Sequence, residues 1–188
     1  MKRLTLMRHA NAQWKDPQIS DFDRPLNRRG TSEAEAMSRR LIELKLIPTM
    51  VLTSSARRAQ QTAYIVAREL GVPPRKTRTD EGLYLAPAAD ILRVIQTTGP
   101  RIPHLMIIGH NPGITELANL LAPDSHVDLG TAALCSLTFD TRSWTDVKAG
   151  NLTDVRSGSP PVRLFSLWAC PAQHSGTLTA RPPWEVSL

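Results

Sequence analysis

The chain predicts a layered α/β fold, and three observations support that reading. Short apolar runs recur at Arg3 to Met7, Met50 to Thr53 and Leu105 to Ile108, each suited to a buried strand. Segments of helical periodicity lie between them, an alternation typical of layered α/β folds. Each run also stops abruptly on polar residues: Arg8-His9, Ser54-Ser55 and Gly109-His110. Side chains capable of chemistry thus gather where strands give way to loops, the edge at which ligand sites of α/β sheets collect.

In chain order, the first strand ends at Arg8-His9 and a loop follows over residues 11 to 30. It is punctuated by Pro17, Pro25 and Gly30, with Asp16, Asp21 and Asp23 as turn formers. A helix is expected from Thr31 or Ser32 to about Lys45. Ala34, Met37, Leu41 and Leu44 recur at helical spacing, Glu33 and Glu35 sit in the first turn, and Pro48 closes it. After the second strand comes a helix from about Arg58 to Leu70, capped by Gly71 and stopped by Pro73-Pro74. Residues 72 to 80 read as a loop rich in proline and charge, and Ala89 to Gln96 as a helix with Ile91, Leu92 and Ile95 on its apolar face. The third strand is an unbroken apolar run that suits a sheet centre buried on both sides. Gly109-His110-Asn111-Pro112-Gly113 turns out of it, and a helix runs from Ile114 to Leu121. Ala132 to Phe139 and Val162 to Trp168 read as further strands, with a turn region between them around Trp144, Gly150 and Gly158.

With 188 residues, 41% of them hydrophobic, and no shift in composition, one core is expected over residues 1–170. A loosely attached tail should follow over 171–188, where Pro171, Gly176 and Pro182-Pro183 accompany few apolar anchors other than Trp184. Cys135 and Cys170, isolated in apolar surroundings, read as reduced core residues. The apolar stretch after Met1-Lys2-Arg3 is too short for a signal peptide, and nothing approaches a membrane span, so a cytoplasmic protein with no membrane partner is expected. A net charge of +6 invites a nucleic-acid reading. The cations come as scattered pairs, however, without an aromatic-interleaved stripe, and a mild positive field equally well steers a phosphorylated substrate. Oligomeric state is left open.

The strand-end residues point towards anions. A guanidinium beside His9 repels a metal cation and attracts phosphate or carboxylate, although a strand-end histidine bonded to a carbonyl, with its arginine in water, is an alternative. Arg58 opens a helix, where a cation beside free backbone N–H groups favours an anion, whereas Arg57 should face solvent. His110 repeats the placement of His9. His104 opens a strand, and His126 and His174 fall in loops. Glu81 could protonate a leaving group if partly buried, or serve as an ion-pair partner that orients Arg58 or Arg8. Trp14 could line the entrance to a site or pack.

Three motifs in order, Leu6-Met7-Arg8-His9, Ser54-x-x-x-Arg58-Ala59-x-Gln61-Thr62-Ala63 and Gly109-His110-Asn111-Pro112-Gly113, resemble the histidine phosphatase (phosphoglycerate mutase-like) superfamily. Arg24-Pro25-Leu26 and Leu83-Tyr84, with the small size, look most like the SixA-type phosphohistidine phosphatases. The resemblance runs from about residue 3 to 168. It implies three layers, with a mostly parallel central sheet flanked by helices. It further implies that His9 is the phosphorylated nucleophile, that Arg8, Arg58 and His110 bind the phosphoryl group, with Asn11 among the phosphate-binding residues, and that Glu81 falls near the proton donor. Ala10 stands where most of the superfamily has glycine, and the acid segment is abbreviated.

The chemistry is consistent with this. Phosphoryl transfer needs in-line attack and cations around the equatorial oxygens, and arginines supply permanent, bidentate contacts. Crowded cations also keep an imidazole neutral and nucleophilic. No metal or other cofactor is expected. The imidazole of phosphohistidine leaves after ordinary nitrogen protonation, whereas an alkoxide needs an enzymic acid. The insecure Glu81 and the short connections therefore favour a phosphohistidine-bearing protein, with small phosphate monoesters as the alternative substrate. A non-catalytic phosphate-binding module is the alternative of another class.

Overall fold

The structure, a computed structural model, describes residues 1–14 and 16–160. Strands β1 (Lys2–Arg8), β2 (Met50–Ser54), β3 (Thr77–Asp80) and β4 (His104–Gly109) run parallel to one another. Strand β5 (Leu134–Phe139) is antiparallel to β1, and β6 (Leu152–Gly158) is antiparallel to β5. Their order across the sheet is β3-β2-β4-β1-β5-β6. Helices α1 (Arg28–Glu43), α2 (Arg57–Glu69), α3 (Ala88–Gln96) and α4 (Gly113–Leu121) cover the two faces.

Alternation along the strands divides the core, because successive side chains point to opposite sides of a sheet. Leu4, Leu6, Leu105 and Ile107 join the cluster of Ile91 and Ile95 from α3 with Ile114 and Leu117 from α4. Met7, Val51, Met106 and Ile108 join Met37 and Leu41 of α1 and Ala59, Ala63 and Val66 of α2. Every residue of β4 is buried, so this strand feeds both layers and reads as a continuous apolar run. Each such Leu, Ile or Met contributes roughly 1.5–3 kcal/mol by leaving water, which makes β4 and β1 the fixed centre of the molecule.

The departures from expectation lie at edges and ends. Helix α1 starts at Arg28, ahead of Thr31, because Asn27 caps it: the Asn27 side chain accepts from Gly30 N at 2.8 Å. It stops at Glu43, short of Lys45, which takes a φ of 55°. Residues 77–80, read as loop, form β3, a half-exposed edge strand of Thr-Arg-Thr-Asp paired with β2. An edge strand needs no apolar run, and its polar side chains discourage further pairing. The turn region after β5 likewise contains β6, which among the described residues pairs only with β5 and exposes Arg156. Strand β5 begins at Leu134 because Ala132 adopts a φ of 57°. The expected strand Val162 to Trp168 and the 171–188 tail, with Cys170, His174 and Trp184, lie outside the described residues. Among the described residues no helix is long and apolar enough to cross a membrane.

Candidate active site

Parallel pairing brings the strand ends to one edge of the sheet. Arg8 of β1 is in register with Gly109 of β4, and His9 N donates to Gly109 O at 3.0 Å. His9 and His110 consequently leave the sheet side by side, with ring centroids 5.0 Å apart. Strand β2, next to β4, ends at Ser54, and after two intervening residues α2 begins at Arg57, presenting Arg58 to both histidines.

Arg58 is only 4% exposed and is the hub of the cluster. Its Nε donates to His9 Nε2 at 3.2 Å. Its Nη2 reaches His110 Nδ1 at 3.3 Å and Asp21 Oδ2 at 3.0 Å, while Nη1 donates to the Asp21 carbonyl. The hydrogen-bond partners assign both tautomers. His9 Nδ1 faces the Ala10 carbonyl at 2.8 Å, an acceptor only, so Nδ1 holds the proton and the Nε2 lone pair points at Arg58. His110 is the reverse: Nδ1 accepts from Arg58, and Nε2–H donates to Ser54 Oγ at 2.7 Å.

Both rings resist protonation. Burial drives His9 down to about 4; Arg58, Arg8 and Arg24 push in the same direction, against the Ala10 hydrogen bond. Burial, then His9 and Arg58, drive His110 down to about 3. Near neutral pH the edge therefore holds two uncharged imidazoles between guanidiniums. Arg8 donates Nη1 to Leu129 O at 3.1 Å, and its Nε is buried with no partner among the described residues. Burial pulls its basicity below the ordinary value, with Asp128 and Glu33 opposing.

Three further residues, Asp21, Arg24 and Tyr84, join the cluster, and sequence reasoning gave none of them a role in the site. Asp21 binds Arg24 Nη1 at 2.7 Å as well as Arg58, and accepts from the Tyr84 hydroxyl at 3.2 Å. Burial alone would raise its pKa, but Arg24 and Arg58 outweigh burial and hold the carboxyl below the usual range. The Tyr84 ring meets His110 edge-on at 5.5 Å and Phe22 at 5.2 Å. Asp21 reads in sequence as one of three loop aspartates, and nothing local distinguishes it. The Leu83-Tyr84 pair is visible in sequence, but the reach of the tyrosine hydroxyl into the site is not.

Motif residues that touch no substrate position hold the frame. Thr62 Oγ1 accepts from Ala10 N at 3.1 Å and donates to Arg58 O at 2.7 Å, tying the residue after His9 to α2. Gln61 Oε1 accepts from Leu26 N at 2.7 Å. A Cβ on Gly30 would lie 1.9 Å from Asn11 O, so only glycine lets α1 approach the residues beyond His9 this closely.

Other expected residues stand apart. The Asn11 carboxamide accepts from Asn27 Nδ2 at 2.6 Å and its backbone N donates to Glu33 Oε2 at 3.1 Å. Glu81 is exposed in the turn after β3, with no hydrogen bond or ion pair from its carboxylate to the cluster among the described residues. Arg57 is exposed, as is His126, and Trp14 is 92% exposed. Among the described residues no three His, Cys, Asp or Glu side chains group so that they could hold a metal ion.

Residues 4–83 match the family model of the histidine phosphatase superfamily, branch 1. The chain is 33% identical over 153 residues to an uncharacterised protein of Mycobacterium tuberculosis, a match spanning 81% of this chain and 93% of that one. It is 29% identical over 156 residues to an uncharacterised chloroplastic protein of Arabidopsis thaliana, spanning 79% of this chain and 71% of the other. Among solved structures it is similar to the protein histidine phosphatase SixA complexed with tungstate, with a TM-score of 0.71 and 26% identity over 84% of this chain and 97% of that one. The candidate phosphohistidine phosphatase SixA of Agrobacterium tumefaciens gives a TM-score of 0.69 and 26% identity over 84% and 99%.

Proposed function

The chain belongs to the histidine phosphatase superfamily and is a phosphatase; from that premise we propose that it works through a covalent intermediate on His9 and that its substrate is phosphohistidine on a protein. The observation that bears most weight is the orientation of His9. Its Nδ1 proton is committed to the Ala10 carbonyl, and its Nε2 lone pair meets Arg58, with His110 alongside.

In the first step Nε2 attacks phosphorus in line, and the bond from phosphorus to the leaving atom breaks, its electron pair going to that atom. Arg8 and Arg58 donate to the equatorial oxygens, and His110 joins them in its other tautomer, with Nδ1–H turned to the phosphoryl group and the Ser54 hydroxyl donating to Nε2. Each such donor, aimed where charge develops, is worth on the order of 10²–10³ in rate. Because Nδ1 keeps its proton throughout, the phosphorylated His9 is a phosphoimidazolium, whose nitrogen leaves as a neutral ring. Water then attacks, its two protons end on phosphate, and Nε2 recovers its lone pair. No step of this route calls for a metal. The SixA structure with tungstate, a phosphate-like oxyanion, supports the reading that such an edge takes a phosphoryl group.

The test is single-turnover hydrolysis of a phosphohistidine protein with EDTA present, together with trapping of the phosphoenzyme. We expect an acid-labile, base-stable adduct and a loss on the order of 10⁴ or more for His9→Ala. Wild-type turnover by that variant would end the proposal.

A further inference from the structure

We propose that Asp21 is a specificity-determining residue: its carboxylate, fixed at the outer edge of Arg58, favours phosphoryl donors whose leaving group carries its own proton over oxygen esters and over donors with a second negative charge. This rests on the phosphatase reading above and adds the property of the site that sorts its substrates.

The geometry gives the carboxylate its position. Arg58 turns Nε towards His9, while Nη1 meets the Asp21 carbonyl and Nη2 is shared by the Asp21 carboxylate and His110, so one guanidinium joins the nucleophile to the carboxylate. The Arg58 side chain is 4% exposed and the Asp21 side chain bound to it 38%. In-line attack puts the leaving atom roughly opposite His9 Nε2, and Asp21 is the carboxylate that, among the described residues, meets Arg58 beside that nucleophile. The carboxylate is held in place there. Arg24, Arg58 and the Tyr84 hydroxyl all bind it, and its loop is tied down by Gln13 N to Pro25 O at 2.9 Å, Arg57 N to Phe22 O at 3.0 Å and Leu26 N to Gln61 Oε1 at 2.7 Å.

Chemistry then gives it a role. Two guanidiniums keep Asp21 ionised, so it has no proton to give, and the neighbouring Tyr84 hydroxyl is already donated to it. Glu81, which could act as acid or as ion-pair partner, is exposed, and among the described residues its carboxylate has no hydrogen bond or ion pair to the cluster. This mouth accepts hydrogen bonds. It suits a phosphoimidazolium, whose P–N electron pair passes to the ring nitrogen while the other nitrogen keeps its proton, so that a neutral imidazole leaves with no enzymic acid involved. An alkoxide gains nothing from a fixed anion, and a second carboxylate on the substrate is repelled by it.

The experiment compares kcat/KM for three probes: a phosphohistidine peptide, the same peptide carrying phosphoserine, and phosphoglycolate, a carboxylate-bearing ester. These are measured for the wild type, Asp21→Asn and the charge-retaining Asp21→Glu. We expect the phosphohistidine-to-phosphoserine ratio to fall at least tenfold in Asp21→Asn, the preference against phosphoglycolate to relax, and Asp21→Glu to recover much of both. An equal fall on all three probes would mean that Asp21 merely positions Arg58, and an unchanged ratio would mean that it does nothing to selectivity; either overturns the inference while leaving the phosphatase reading intact. Absence of phosphate release from every probe by the wild type would instead strike down the phosphatase reading, and this inference with it.

Discussion

Strand β4 has a histidine at each end, and the two are alike by every simple measure. His104 is 6% exposed and His110 2%; burial drives the first down to about 4 and the second to about 3. Their surroundings differ. His104 donates Nδ1–H to Ile47 O at 3.0 Å and accepts the Thr5 hydroxyl on Nε2 at 2.9 Å, a closed pair of bonds to uncharged groups. His110 looks onto a second imidazole, a buried guanidinium and a carboxylate. A depressed basicity therefore marks burial at both ends of the strand, and only convergence with other charged and nucleophilic groups separates a reactive edge from a structural one.

The comparison is sharpened most by exchanging each ring for an uncharged amide. His110→Gln should lower kcat/KM on the order of 10²–10³, since one donor to the developing charge is misplaced, beside a stability loss of about 1–3 kcal/mol from its bonds to Ser54 and Arg58. His104→Gln should keep activity within about threefold and lose about 1–3 kcal/mol of unfolding free energy, because Thr5 and Ile47 lose a matched partner. Steady-state kinetics and urea unfolding on the two variants decide this, and an equal catalytic defect at His104 would break the distinction between the ends.

A smaller effect follows from pH. In the unfolded chain each histidine takes a proton near 6.5, while the folded His104 resists to about 4 and His110 to about 3. Between those values the unfolded state binds more protons, so the stability due to these rings must fall as pH drops below 6.5, flattening below about 4 for His104 and about 3 for His110. The loss at pH 5 should be about 2 kcal/mol per ring. Urea unfolding at pH 7 and pH 5 checks it, and His104→Gln should remove the share due to that ring. An unaltered pH slope in that variant would show that the ring is not held neutral.

The smallest expected effect is at Thr62, whose hydroxyl connects Ala10 to α2. Thr62→Val leaves the buried Ala10 N–H without its acceptor, at a cost of about 1–2 kcal/mol, and should slow turnover several-fold through His9. A melting curve beside kcat measures both, and a loss of stability with no change in kcat would show that the tie serves the scaffold alone.

What sequence could reveal follows from where information about each element resides. Strands β1, β2 and β4 announce themselves because burial of both faces demands apolar side chains at successive positions. The edge strands β3 and β6 face solvent and are specified by their neighbours, so Thr77 to Asp80 and Leu152 to Gly158 read as loop and turn. His9, Arg58 and His110 were legible because parallel pairing carries every strand end to one edge. Asp21 was not, because its place depends on a loop returning through Phe22 to Arg57 and through Leu26 to Gln61, contacts that no local pattern encodes. Glu81 was singled out for its chemical type, whereas the carboxylate that meets Arg58 comes from a different segment.

Each nitrogen of Arg58 has a partner before any ligand arrives: His9, His110 and both the carbonyl and the carboxylate of Asp21 take four of its five N–H donors. An oxyanion entering here exchanges partners with the protein, and when it departs the guanidinium falls back on those same groups without being stranded in a dry interior. Any anion that binds Arg58 is therefore in competition with the protein's own acceptors, and its net hold on the guanidinium is the difference between the two sets of bonds.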